Sequence, residues 1–76
     1  MSRIVSTQDV FGGKPRIKDT RVRVIDVVGF YEQRGLEPEE ISEKLEVSER
    51  DVYAALVYYY ENPKEVRRQL SGEMTA

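Results

Sequence analysis

The sequence predicts a mainly α-helical fold: a three- to four-helix body built on a helix-turn-helix, preceded by a short N-terminal β-hairpin or arm. Three observations carry this. Apolar residues recur at i, i+3, i+4 and i+7 in Val24/Val27/Val28/Tyr31 and again in Val52/Ala55/Leu56/Tyr59. The link Glu46-Val47-Ser48 leaves only three residues between two helical stretches. Ahead of both, Gly12-Gly13-Lys14-Pro15-Arg16-Ile17-Lys18-Asp19-Thr20-Arg21 gathers turn formers and cations.

Taken in order, Ile4 and Val5 are expected to form a brief strand. Thr7 to Gly13 is an irregular lead-in whose paired glycines permit positive φ. Pro15 pushes Lys14 toward extended backbone, Ile17 points inward, and Asp19 tolerates a left-handed turn. Arg21-Val22-Arg23-Val24 alternates charge with apolar residue, which predicts a half-buried strand with both arginines on one face. A first helix follows from Val24 to about Arg34, closed by Gly35. Pro38 suits the first position of a second helix, with Glu39 and Glu40 at its positive end and Ile41 and Leu45 inward, although Glu37 is a poor cap. Ser48-x-x-Asp51 resembles a capping box opening a third helix. Asn62-Pro63 opens a fourth, with Val66 and Leu70 inward. The expected organisation is an arm over residues 1–24, a helical domain over 25–71 and a fraying tail over 72–76.

A chain of 76 residues is one domain with a marginal core, so self-association to a homodimer or higher oligomer is expected. Without cysteine or histidine it lacks thiolate chemistry, the usual general base and the commonest metal ligands. No cofactor or metal is expected and no catalysis. Glu39 and Glu43 share a helix face and could hold a hard cation, but the helix dipole alone explains acids there. Gly12-Gly13-Lys14 lacks the earlier glycine and the following Ser/Thr of a phosphate loop. No apolar run approaches the roughly 20 residues of a spanning helix, and the lack of cysteine fits a reducing cytoplasm, so a cytoplasmic protein without membrane contact is expected.

The net charge of −2 conceals an asymmetry: +3 over residues 1–35, −6 over 36–62 and +1 over 63–76. The third helix would present Glu49, Arg50, Tyr53 and Ala54 to a DNA groove, a poor set for neutralising phosphates. Lys14, Arg16, Lys18, Arg21 and Arg23 are the candidate nucleic-acid-binding cations; the alternative is a solvated hairpin whose charges protect a sheet edge. Tyr53, Val57 and Tyr60 form a second stripe on the third helix, about 100° from the core stripe. Such a face is a candidate protein interface unless the fourth helix folds back over it.

The stretch Gly13-Lys14-Pro15-Arg16-Ile17-Lys18-Asp19-Thr20-Arg21-Val22, the helix to Gly35, Pro38-Glu39-Glu40-Ile41 and Val52-Tyr53-Ala54-Ala55-Leu56 together resemble the small prokaryotic family catalogued as domain of unknown function 433. The similarity runs from about Ile4 to about Tyr60. Asp19 stands where the family usually has glycine, and Arg23 where it commonly has proline. The resemblance implies a homeodomain-like helix-turn-helix and an antitoxin of a type II toxin-antitoxin module, its partner a PIN-like nuclease toxin. An inhibitor of that kind would place cations among the nuclease's metal-binding carboxylates, and Arg67 and Arg68, just beyond the Tyr53/Val57/Tyr60 stripe, are the candidates. The arm would then serve operator DNA or the dimer contact. Two other readings stand beside this one: a dimeric DNA-binding transcriptional regulator working through the basic arm, and a non-catalytic dimeric scaffold.

Overall fold

The structure, a computed structural model, describes residues 3–75, with side chains through residue 72. Over these described residues it is mainly helical, with four helices and one small antiparallel sheet near the N-terminus. Strand β1 (Ile4–Val5) pairs with β2 (Arg16–Ile17), Ile4 opposite Ile17 and Val5 opposite Arg16. Between them the chain turns tightly at Phe11, Gly12 and Gly13, with φ of 53°, 64° and 88°. Two glycines make that left-handed run accessible, and Phe11 bears the strain alone.

The strand expected at Arg21 to Val24 is not there. Arg23 meets Arg16 only as an isolated bridge, and Val24 already opens α1 (Val24–Val28). The reason lies in two local hydrogen-bond sets. Thr20 Oγ1 donates to the Ile17 carbonyl at 2.8 Å and accepts from the Val22 N–H at 3.0 Å, closing a turn in which Asp19 sits at φ 64°. The Asp26 carboxylate then accepts the Arg23 N–H at 2.9 Å and starts a helix where a strand would have continued. The alternation was real, but it marks a loop running into a helix cap.

Helix α1 continues into a π turn over Gly29–Gln33 and is followed by Gly35 at φ 66°. Helix α2 (Pro38–Leu45) starts with Glu40 accepting the Glu37 N–H at 2.9 Å, so the poor cap is helped by the acid three residues on. It ends at Glu46 in left-handed geometry, φ 57°, and Ser42 Oγ donates to the Val47 carbonyl at 2.6 Å to fix the helix-turn-helix corner. Helix α3 (Glu49–Glu61) is capped by Ser48 Oγ, which accepts the Asp51 N–H at 3.1 Å.

The core forms where α1, α2 and α3 meet. Val24, Val27 and Val28 of α1, Ile41 of α2, and Val52, Ala55 and Tyr59 of α3 are all buried. Ile17 and Pro15 are equally buried, which makes the N-terminal segment a wall of the body rather than a projecting arm. Helix α4 (Pro63–Thr75) adds Val66 and the half-buried Leu70. It runs past the end of the helical domain expected from the apolar pattern, through Gly72 to Thr75, while Ala76 lies outside the described residues.

Candidate protein-docking site

Helix α3 buries one face and leaves another bare. Its core stripe at 52, 55, 56 and 59 faces α1 and α2, and the helical period puts Tyr53, Val57 and Tyr60 on the outer side. These are 54%, 56% and 60% exposed, and they are the large exposed apolar side chains among the described residues. This is the face that the second helix of a helix-turn-helix would turn toward a DNA groove. Here it offers two aromatic rings and a valine.

Helix α4 does not cover that face, because the corner at Asn62 directs it elsewhere. The Asn62 side chain donates to the Tyr58 carbonyl at 3.1 Å, closing α3 rather than capping α4. Tyr58 reaches across the corner and donates to both carboxylate oxygens of Glu65, at 3.0 and 3.2 Å. Burial and then the hydrogen bond to Glu65 hold the Tyr58 phenol above its ordinary pKa, so the contact persists as a neutral donor. Helix α4 is thereby fixed on the Tyr58 side, against α1, with the outer stripe untouched.

One rim of the stripe is polar and organised. The Tyr59 hydroxyl donates to Glu32 at 2.9 Å, and Arg67 Nε donates to the same hydroxyl at 3.1 Å, its guanidinium 5.7 Å from the ring centre. Tyr60 leans on Tyr59 with ring centres 5.1 Å apart, and its hydroxyl lies 3.5 Å from that of Tyr31. The Tyr31 hydroxyl beside it, more than partial burial, raises the Tyr60 pKa. The π turn is what carries Tyr31 and Glu32 under the end of α3. Sequence reasoning placed Tyr31 in the core stripe and did not single out Glu32; the signal missed was that a phenol at a helix end keeps its polar tip outside.

Of the two candidate cations beyond the stripe, Arg67 is therefore held by Tyr59, the neighbour of Tyr60. Arg68 lines an open cleft at the α3–α4 corner with Glu61, Asn62, Pro63, Lys64 and Glu65. The structure separates this pair.

The N-terminal cations are largely engaged within the chain. Arg16 donates from Nη1 to the Thr20 carbonyl and from Nη2 to Thr7 Oγ1, both at 3.2 Å, while its Nε is buried without a hydrogen-bond partner. Arg23 holds Asp26 at 2.9 Å. Arg21 and Arg23 do share a side, with guanidinium carbons 5.6 and 5.3 Å from the centre of the Phe11 ring. Lys14 is half-buried in extended backbone before Pro15, and Lys18 makes no salt bridge among the described residues.

A cation outside the expected set proves the most structural. Arg3 grips Asp51 through two hydrogen bonds, Nε to Oδ1 at 2.9 Å and Nη2 to Oδ2 at 3.2 Å. Asp51 is buried, and the hydrogen bond from Arg3 holds its carboxyl below the ordinary carboxylate pKa. The expected capping box is thus half formed: Ser48 caps Asp51, but the Asp51 carboxylate is pinned by Arg3. Glu39, Glu40 and Glu43 are exposed, and no three metal-capable side chains converge among the described residues. Among the described residues, no helix is long and apolar enough to cross a membrane.

Comparison with known proteins agrees with this architecture. A solved structure of a DUF433 member from Anabaena variabilis superposes with a TM-score of 0.83 at 32% identity, covering 93% of this chain and 70% of that one. No curated protein matches the chain. The sequence profile of the family described as protein of unknown function DUF433 matches residues 4–59, from β1 through the last buried tyrosine of α3, and the chain belongs to that family.

Proposed function

We propose that this protein is a non-catalytic binding module of the antitoxin type, which seats the outer face of α3 on a PIN-like ribonuclease and blocks it. The observation that carries the reading is the bare Tyr53/Val57/Tyr60 stripe on the helix that a DNA-binding relative would present to a groove. Tyrosine-rich apolar patches on an otherwise charged surface favour protein contact, since the rings contribute area at low entropic cost and the hydroxyls meet a wet rim.

The surroundings favour a nuclease whose active site is acidic. Arg67, an exposed residue, is oriented by Tyr59 beside Tyr60 of the stripe. A contact centred on the stripe would carry this cation to the margin of a carboxylate cluster. The same observations weigh against groove reading by α3, where Arg50 is the only cation. Operator binding would fall to Lys18 and Arg21, since Arg16 and Arg23 have internal partners.

Co-expression with the neighbouring open reading frame, followed by pull-down and a ribonuclease assay, tests the proposal. A stable complex with suppressed cleavage is expected, lost in Val57→Arg and weakened in Arg67→Ala. The absence of a complex, or a complex that cleaves RNA freely, would refute it.

A further inference from the structure

We infer that, in the absence of its partner, the outer face of α3 is covered by the same face of a second copy, the two helices running antiparallel. The inference rests on the reading of this face as a docking surface and adds how the surface is regulated. Its support is the order of side chains along the face. Tyr53 and Tyr60 stand equally far on either side of a point between Leu56 and Val57, so the stripe reads tyrosine, valine, tyrosine about its own centre. A two-fold contact requires a patch that matches itself, and this one does so when one helix is reversed. Tyr53 then meets Tyr60 of the other copy, with the valines at the axis.

Charge fixes the same arrangement. At about 100° per residue, Arg50 and Glu61 fall on one flank of the stripe, near opposite ends of α3. Both are exposed, and neither forms an ion pair within the chain among the described residues. A two-fold axis perpendicular to antiparallel helices keeps each flank on its own side, so Arg50 of one copy comes beside Glu61 of the other, roughly 3 Å apart along the helix axis at a rise of 1.5 Å per residue. Two such pairs form at once. In a parallel pairing the two residues would lie on opposite flanks and at different heights.

The patch is small. Three half-exposed side chains and their flanks fall short of the roughly 800 Å² per partner of a standard stable interface, so the pairing is in the micromolar range or weaker. That weakness suits a cover that yields to a better-fitting partner, and the two occupancies of the face exclude each other.

Sedimentation velocity of the full chain between about 10 μM and about 1 mM tests the inference. A concentration-dependent dimer is expected, with Val57→Arg monomeric throughout and unchanged in helical circular dichroism. Arg50→Glu and Glu61→Arg each place two like-charge contacts in the dimer and weaken it by about 3- to 30-fold, whereas the double variant returns to within about threefold of the parent. Both changes favour the helix dipole, acid near the start and base near the end, so weaker association is not lost folding. A parent chain monomeric at the highest concentration, or a charge exchange that fails to restore the dimer, overturns the inference. A monomer that still forms an inhibitory complex with the nuclease refutes self-pairing alone, and a dimer without such a complex refutes the antitoxin reading alone.

Discussion

Residues 3–23 carry six Lys/Arg side chains and α3 carries one, yet the cation-rich segment is the more fully satisfied of the two regions. Arg3 holds Asp51, Arg16 laces Thr7 to Thr20, Arg23 holds Asp26, and Arg21 rests against Phe11. The outer face of α3 carries one cation, Arg50, and one anion, Glu61, neither in an ion pair among the described residues, and its three large apolar groups stay more than half exposed. The contrast teaches that charge density is a poor guide to where a small domain meets its partners. What matters is whether each group already has an internal partner.

Substitutions in the two regions should therefore have opposite signatures. The largest effect is expected from Ile17→Ala, a fully buried residue in the N-terminal segment. Urea unfolding should show a loss of about 3 kcal/mol, against less than about 0.5 kcal/mol for Val57→Ala. An unchanged midpoint for Ile17→Ala would detach the segment from the body and collapse the comparison.

Next comes the Arg3–Asp51 pair. Asp51 has its folded pKa lowered from the model-compound value of 3.8, so its stabilisation is complete above that value and is lost as pH falls through the lower folded one. Stability should hold steady down to about pH 5 and then decline, and Asp51→Asn should remove that part of the decline while costing about 1–2 kcal/mol at neutral pH. Identical acid profiles for parent and variant would show that the pair contributes nothing to folding.

Arg16→Gln should cost about 1 kcal/mol by releasing the Thr7 and Thr20 contacts. If DNA affinity rather than stability fell in this variant, Arg16 would belong with the solvent-facing cations and the contrast would need redrawing. The smallest effects belong to Lys18→Gln and Arg21→Gln, each within about 0.5 kcal/mol by thermal or urea unfolding. These two residues are the cleanest probes of operator binding, because any loss of salt-dependent affinity in them is free of folding damage.

How much of this was legible beforehand follows from the range of each interaction. Helical period is local, so Val52, Ala55, Leu56 and Tyr59 inward and Tyr53, Val57 and Tyr60 outward could be read directly from spacing. The left-handed turn at Asp19 and the extended backbone at Lys14 were equally local, set by an Asp side chain and a following proline. Arg3 and Asp51 lie 48 residues apart, and nothing in either neighbourhood announces the pairing. An acid three residues after Ser48 reads as a cap, and only the folded chain shows a guanidinium arriving from Arg3, just ahead of strand β1. The division between Arg67 and Arg68 was hidden for a related reason: adjacent residues on a helix diverge by about 100°, and which one faces Tyr59 depends on where the corner at Asn62 aims α4.

The π turn at Gly29–Gln33 gives the length of that stretch a meaning independent of its composition. Each of its rings encloses one residue more than an α turn does, so deletion of a single residue there would restore α geometry, moving Tyr31 and Glu32 while the chain beyond the turn keeps its facing. Glu32 would part from Tyr59 and Tyr31 from Tyr60, leaving the hydrophobic interior intact while the border of the exposed patch is redrawn. Insertions and deletions at this one point thus offer a way to retune what the patch recognises without altering the residues that compose it.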